Sequence, residues 1–342
     1  MLGLAALARF AGRAGVSSGV SIGQWTIEAQ RLWPGEAPWQ EPIAFVDLAP
    51  GGEPPAALAL PPCPVIGLGD REHPLAAMLD AVIEPPVGAE ALARSVLAAP
   101  QAAAVTVQLL RLLPALPAGQ ALTAESLAYA VLQGSAEHAA WRAARTPEPP
   151  GLPGRVLVER DGAALTVTLD RPDAGNAIDR AMRDALHEAL SLAALDTEIA
   201  AIHLRANGKA FSLGAELAEF GTTTDPATAH AIRACTLPAA AAARCADRME
   251  VHVQGACIGA GLELAAWAGR VTASPDAWFQ LPELAMGILP GAGGCVSLSR
   301  RIGRQRTALM ILSGRRIGAR QALGWGLVDE LARDEGGAHH PA

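Results

Sequence analysis

The stretch from Gln254 to Gly294, QGACIGAGLELAAWAGRVTASPDAWFQLPELAMGILPGAGG, constrains this chain more than any other. It places two closely spaced glycines, Gly259 and Gly261, at an expected helix start, with Glu263 in the first turns and Glu283 after a strand-like segment. A helix start leaves its first backbone N–H groups without intrahelical partners and carries partial positive charge, so it can hold an oxyanion. Glycine there lets a ligand come close to the backbone. Two carboxylates brought from different elements to such donors can divide general acid and general base work.

The same residues carry a resemblance. Gly255–Ala265 reads G-A-C-I-G-A-G-L-E-L-A, and Phe279–Gly294 reads F-Q-L-P-E-L-A-M-G-I-L-P-G-A-G-G. They resemble the second oxyanion loop (G-x-x-x-G-G-G-x-E-L-A) and second-acid segment (F-G-x-P-E-x-x-x-G-x-x-P-G-x-G-G) of the enoyl-CoA hydratase/isomerase, or crotonase, family. Upstream, LDRPDAGNAID resembles the family's L-N-R-P-x-x-x-N-A-L, and KAFSLGAEL its A-F-x-A-G-A-D-x loop. The closing A-x-x-A-x-x-x-G-L-V-D pattern is met by Ala319, Ala322, Gly326, Leu327 and Val328.

The resemblance implies an α/β, crotonase-like ββα spiral core and hydration of a 2-enoyl-CoA. It implies that Glu263 and Glu283 hold the reacting water and that the N–H groups of Ala215 and Ala260 form the oxyanion hole. Ala260 stands where the family usually has glycine; the N–H survives that replacement, and the methyl group is expected either to crowd the acyl chain or to shift the turn. Leu213, Gly214, Ala215, Glu216, Leu217, Gly259 and Gly261 are implied neighbours of the thioester. Arg171 is either a neighbour of the coenzyme A phosphates or one half of a structural salt bridge. The cofactor expectation is coenzyme A as part of the substrate only, and trimers or paired trimers are implied. Double-bond isomerase, hydrolase and C–C lyase reactions, and a non-catalytic assembly subunit, stay open.

Composition excludes other classes. A net charge of -7 over 342 residues, with scattered arginines and Lys209 as the one lysine, argues against a nucleic-acid surface. Cys63, Cys235, Cys245, Cys257 and Cys295 lack metal-ligand or disulfide-framework spacing, so no metal is expected and a reduced, cytoplasmic compartment fits. No run approaches the ~20 apolar residues of a membrane span. The opening MLGLAALARFAGRAG, interrupted by Arg9, reads as a short amphipathic or frayed helix.

In chain order, residues 1–78 form an extension with no legible fold. It holds two extended segments, Pro42–Leu48 and Pro64–Gly69, split by proline- and glycine-rich turns. Asp70, Arg71, Glu72 and His73 read as a site or a solvated turn. Residues 79–150 are helical plus a linker, TPEPPGLPG, and Leu122, Leu127, Ala130 and Val131 fall at helical spacing. Ala93–Ala102, Ala121–Glu125 and Leu132–Glu137 resemble helices that normally close the family's chain, and LDAVIEPP from Leu79 echoes LVDELARD near the C-terminus. Residues 79–145 therefore read as closing helices supplied from the N-terminal side by permutation or partial duplication, or as an unrelated extension.

Residues 151–342 are the expected catalytic core. They include a hairpin at Asp161-Gly162 and a helix from Arg180 to Ala194 with Met182, Leu186, Ala189 and Leu190 on one face. His230 lies on a helix beside the expected acyl pocket. Glu250 and His252 share one side of a strand and read as partners at an edge or interface. Arg300, Arg301, Arg304 and Arg306 fit a subunit contact, the nucleotide end of the ligand, or a solvated face. The tail EGGAHHPA reads as disordered.

Overall fold

The computed structural model describes residues 21–48, 56–146, 149 and 151–332. The apolar N-terminal run and the glycine-rich tail expected to be disordered lie outside the described residues, as do parts of the first turn region and of the linker.

The extension folds around four short strands, β1 (Thr26–Ile27), β2 (Ala44–Leu48), β3 (Val65–Gly69) and β4 (Ala81–Val82), in one parallel sheet of that order. The two extended segments expected from the sequence are β2 and β3, paired from Ala44↔Val65 to Leu48↔Gly69. Parallel strands are covered on both faces and so read as unbroken apolar runs. Ala44, Phe45, Val46, Val65 and Ile66 are accordingly all buried. The Asp70–His73 cluster is a turn in which the Asp70 carboxylate accepts the Glu72 N–H at 2.9 Å and Arg71 pairs with Glu84 at 2.9 Å.

Four helices follow, Ala89–Ala98, Pro100–Leu112, Ala118–Gln133 and Ala136–Ala143. Pro100 opens the second, where its missing N–H costs nothing. Ser135 caps the fourth by accepting the His138 N–H at 3.1 Å. The Ala118–Gln133 helix corrects the apolar face read from the sequence. Leu127 and Val131 are exposed, 50% and 65%, and the buried line is Ala121, Glu125, Ser126 and Leu132. A carboxylate sits on the inner face because the core offers it backbone donors there, and that outweighs the burial of two aliphatic side chains.

The core begins with the hairpin of β5 (Arg155–Asp161) and β6 (Ala164–Asp170); Asp161 pairs with Ala164, so the turn is Gly162–Ala163, one residue beyond expectation. The Arg180–Leu195 helix matches its expected span, is capped by Asp179, and buries Met182, Leu186, Ala189 and Leu190. Then come β7 (Ala201–Ala206), β8 (Met249–Val253), β9 (Ala256–Ile258), β10 (Arg270–Ala273), β11 (Trp278–Gln280), β12 (Ile317–Gly318) and β13 (Glu330–Leu331). Six strands form one sheet, ordered β13-β10-β8-β7-β6-β5, and three form another, β12-β11-β9. Strand β8 is thus interior, not an edge. Glu250 faces His203 at 3.8 Å, and His252 bonds Thr272 at 3.0 Å and Ser274 at 3.3 Å.

Two features of this arrangement position the site. Strands β9 and β11 are parallel neighbours, with Ile258 beside Gln280, so the turns leaving them emerge at the same edge. One turn carries Gly259 and the other leads to Glu283. In addition, the N-terminal helices lie on the core: Ala89–Ala98 and Pro100–Leu112 on the Arg304–Ser313 helix, Ala118–Gln133 on the Pro226–Thr236 and Gly294–Ile302 helices, and Ala136–Ala143 on the Glu283–Met286 turn.

The arginines of the C-terminal helices fasten that contact. Asp80, 2% exposed at its side chain, pairs with Arg111 at 2.6 Å and Arg304 at 3.6 Å and accepts the Val65 N–H at 2.9 Å. Arg306 pairs with Glu84 at 3.1 Å and Arg300 reaches the Leu116 carbonyl at 3.4 Å, whereas Arg301 stays within the core, on the carbonyls of Leu327 and Ala268. Removing one partner of a buried ion pair strands the other. Asp80→Ala should lower unfolding free energy by about 3 kcal/mol in urea titration, the low end for such pairs because Arg111 keeps some water. Asp80→Asn should lose less; a loss under about 0.5 kcal/mol for Asp80→Ala would exclude a stabilising role for this contact.

Candidate active site

A cavity of about 810 Å³ opens where the turns after β9 and β11 meet the Leu213–Leu217 loop and the Ala118–Gln133 helix. Leu213, Gly214, Ala215, Glu216, Leu217, Gly259, Ala260, Glu263 and Glu283 all line it, as the sequence implied. Gly261 does not. It lies behind the wall, where an added Cβ would come within 2.4 Å of the Ser212 side chain. Arg171 also lies outside the lining. It is buried, paired with Glu216 at 2.7 Å and Asp179 at 3.8 Å, and it donates to the carbonyls of Leu152 and Ala177. Of its two readings, the structure displays the salt bridge.

The two loops approach closely because glycines turn them. Gly259, at φ 46°, caps the short Ala260–Ala265 helix, and a Cβ there would stand 2.7 Å from a Glu283 carboxyl oxygen. Gly214, at φ 94°, sits against the Ile258 carbonyl. Ser212 ties the loops together, its N–H donating to the Ala256 carbonyl at 3.1 Å and its hydroxyl to the Asn176 carbonyl at 2.8 Å. Among the described residues, no acceptor takes the N–H of Ala215 or Ala260, and both residues border the cavity. Ala260 is the first residue of its helix, which leaves its N–H free of an intrahelical partner.

Two buried carboxyl groups converge on the turn before the Gly294–Ile302 helix, and a third, Glu283, lies beside Gly259. Glu263 accepts the N–H groups of Ala292 at 2.6 Å and Gly294 at 2.8 Å. Glu125, from the N-terminal region, accepts those of Gly293 at 2.7 Å and Val296 at 3.2 Å. Glu283 is buried with one carboxyl oxygen unpartnered among the described residues. Burial raises all three above the ordinary carboxylate range. Glu263 is held to about 7 by its two N–H donors, while Glu283 and Glu125 are raised well above the ordinary carboxylate range by burial and then by the charge of Glu263. One ionised acid beside a protonated one is the arrangement that divides base from acid work.

Residues outside the family-like motifs complete the wall. Tyr129, Gln133 and His138 of the N-terminal helices, and Arg233, border the cavity. Glu125, Tyr129 and Gln133 stand at successive i, i+4 positions on one helix, hence on one face. The traces of this in the sequence were the A-L-x-x-E likeness at Ala121–Glu125 and the L-x-x-S-x-E likeness at Leu132–Glu137. His138 Nδ1 bonds the Met286 carbonyl at 2.8 Å. His230 does not line the cavity; its Nδ1 bonds the Ser126 hydroxyl at 2.8 Å.

The raised acids make stability depend on pH. A carboxyl whose folded pKa lies above its unfolded value stabilises the fold when protonated, and that stability is lost as pH rises from the unfolded value through the folded one. Glu283→Gln removes such a group. Urea unfolding should show its stability relative to the parent increasing from pH 4 to pH 8 by about 1 kcal/mol or more. Equal shifts at both pH values would contradict the raised Glu283.

Residues 159–336 match the sequence model of the family described as Enoyl-CoA hydratase/isomerase. The chain is 36% identical over 184 residues to the 2,3-dehydroadipyl-CoA hydratase of Escherichia coli (strain K12), covering 52% of this chain and 68% of that one. It is 33% identical over 182 residues to the cyclohexa-1,5-dienecarbonyl-CoA hydratase of Thauera aromatica, covering 53% and 69%. A crystal structure of enoyl-CoA hydratase from Thermoplasma volcanium GSS1 is 35% identical, with a TM-score of 0.47 over 53% of this chain and 72% of that one.

Proposed function

Since the chain belongs to the enoyl-CoA hydratase/isomerase family and has its crotonase-like fold, we propose that this enzyme adds water across the double bond of a 2-enoyl-CoA, giving the 3-hydroxyacyl-CoA. The observation that carries this reading is that Glu263 and Glu283, both buried, line the same cavity as the unpartnered N–H groups of Ala215 and Ala260.

In this reading the thioester carbonyl accepts the two N–H groups, which draws electrons toward its oxygen. Glu263, ionised and steadied by Ala292 and Gly294, takes a proton from water as the water oxygen bonds the β-carbon. The π electrons move to form an enolate, whose oxygen rests on the two N–H groups. Glu283, protonated, gives its proton to the α-carbon as the enolate collapses. The proton on Glu263 then passes to Glu283, so one water is consumed and both acids are restored. Coenzyme A enters and leaves as part of the substrate.

We also propose that residues 79–145 take the place of the family's closing helices. Their packing on the Gly294–Ile302 and Arg304–Ser313 helices supports it, as does Glu125 reaching the turn that holds Glu263.

Crotonyl-CoA hydration, followed by loss of the conjugated thioester absorbance, tests the chemistry. Glu263→Gln and Glu283→Gln should each lower kcat by roughly 10²–10⁴-fold. In the parent enzyme, kcat/KM should rise with pH through about 7 as Glu263 loses its proton, then fall at higher pH as Glu283 loses its own. Full activity in both variants would remove the two-acid mechanism, and migration of the double bond without water uptake would mark an isomerase.

A further inference from the structure

Beyond the two glutamates the cavity wall includes Arg233, on the Pro226–Thr236 helix. Its guanidinium lies over the Tyr129 ring, 4.4 Å from the centroid, and Tyr129 in turn packs on Gly291, next to the Ala292 that donates to Glu263. Three neutral acceptors hold it: Nε donates to the Ser126 hydroxyl at 3.1 Å, Nη1 to the Gln133 side chain at 3.1 Å, and Nη2 to the Ser126 carbonyl at 3.2 Å. A guanidinium has five N–H donors, so two are left over.

What it lacks is an anion. Among the described residues, no carboxylate oxygen comes within the 4.0 Å ion-pair distance of Arg233. The other cavity arginines differ, since Arg180 pairs with Glu219 at 3.9 Å and Arg183 with Asp184 at 2.7 Å. The acid on the helix packed against it, Glu125, directs both oxygens at the Gly293 and Val296 N–H groups. His230, one turn away, is bonded to the Ser126 hydroxyl.

An unpaired cation is tolerable while water fills the cavity. A plain alkyl chain would displace that water and leave the charge beside hydrocarbon, which is unfavourable without a counterion. A carboxylate would match the planar fork and take up the spare donors. We propose that the acyl group of the substrate carries a carboxylate at the end remote from the thioester, and that Arg233 receives it. This rests on the cavity being the acyl-CoA site, and it names the class of acyl chain.

Saturated thioesters test recognition apart from turnover. Calorimetric titration of the full chain with hexanedioyl-CoA and hexanoyl-CoA, and with shorter and longer pairs, gives the ratio of their affinities. The carboxylated member of at least one pair should bind tighter, and Arg233→Gln should reduce that ratio by about ten- to a hundredfold while Arg233→Lys restores part of it. Melting curves identify any variant that fails to fold, in which case the parent ratios decide. Equal or weaker binding of every carboxylated member, or Arg233→Gln weakening both members of a pair alike, would overturn the proposal. Binding of neither member of any pair would instead remove the acyl-CoA reading of the cavity, and this inference with it.

Discussion

The backbone turn Pro290–Gly294 is held between two buried carboxyl groups, and the rest of the site is arranged around that contact. Glu263 takes the N–H groups of Ala292 and Gly294 from one side, and Glu125 takes those of Gly293 and Val296 from the other. Burying a carboxylate is costly unless donors satisfy it, and the start of a helix offers several free donors in one place. Sharing them between two acids leaves neither with enough to return it to an ordinary carboxylate range. The turn is thereby anchored, and the Glu263 carboxyl is held at about 7.

The same contact explains why the Ala118–Gln133 helix belongs to the site rather than beside it. Glu125 comes from a helix far upstream in the chain, so the turn depends on a helix whose placement depends on the Asp80 cluster and on the arginines of the C-terminal helices. Those arginines form an internal clasp. Tyr129 and Gln133 follow Glu125 along the same helix face into the cavity and border Arg233. The turn that holds Glu263 and the wall of the cavity are therefore coupled through one helix.

Legibility differed by element. The core strands and the Arg180–Leu195 helix were readable because each repeats its apolar residues at the period of its backbone. Of the four-stranded N-terminal sheet only β2 and β3 were, since β1 and β4 are two residues long and show no period to recognise. The inner face of Ala118–Gln133 was misread for a different reason. Leu127 and Val131 look like core, yet the helix turns Glu125 and Ser126 inward. Only the donors waiting on the facing turn make that orientation favourable, and those donors lie in a distant part of the chain. For Arg171 two readings were open, and its packing against Glu216 and Asp179 selects between them.

Local chemistry was therefore settled by the sequence alone: glycines at Gly214 and Gly259 where the backbone turns to positive φ, and a glutamate one turn into a short helix. Such features depend on neighbouring residues, and neighbours are what a linear string records. Tertiary structure alone decided that Tyr129 and Arg233 meet at one cavity, that Glu125 reaches the N–H groups of Gly293 and Val296, that Arg171 is spent on an ion pair, and that Arg304 and Arg306 meet Asp80 and Glu84. Each of those outcomes depends on which polar groups come within hydrogen-bond reach across the fold, a distance that is set only once the chain has packed.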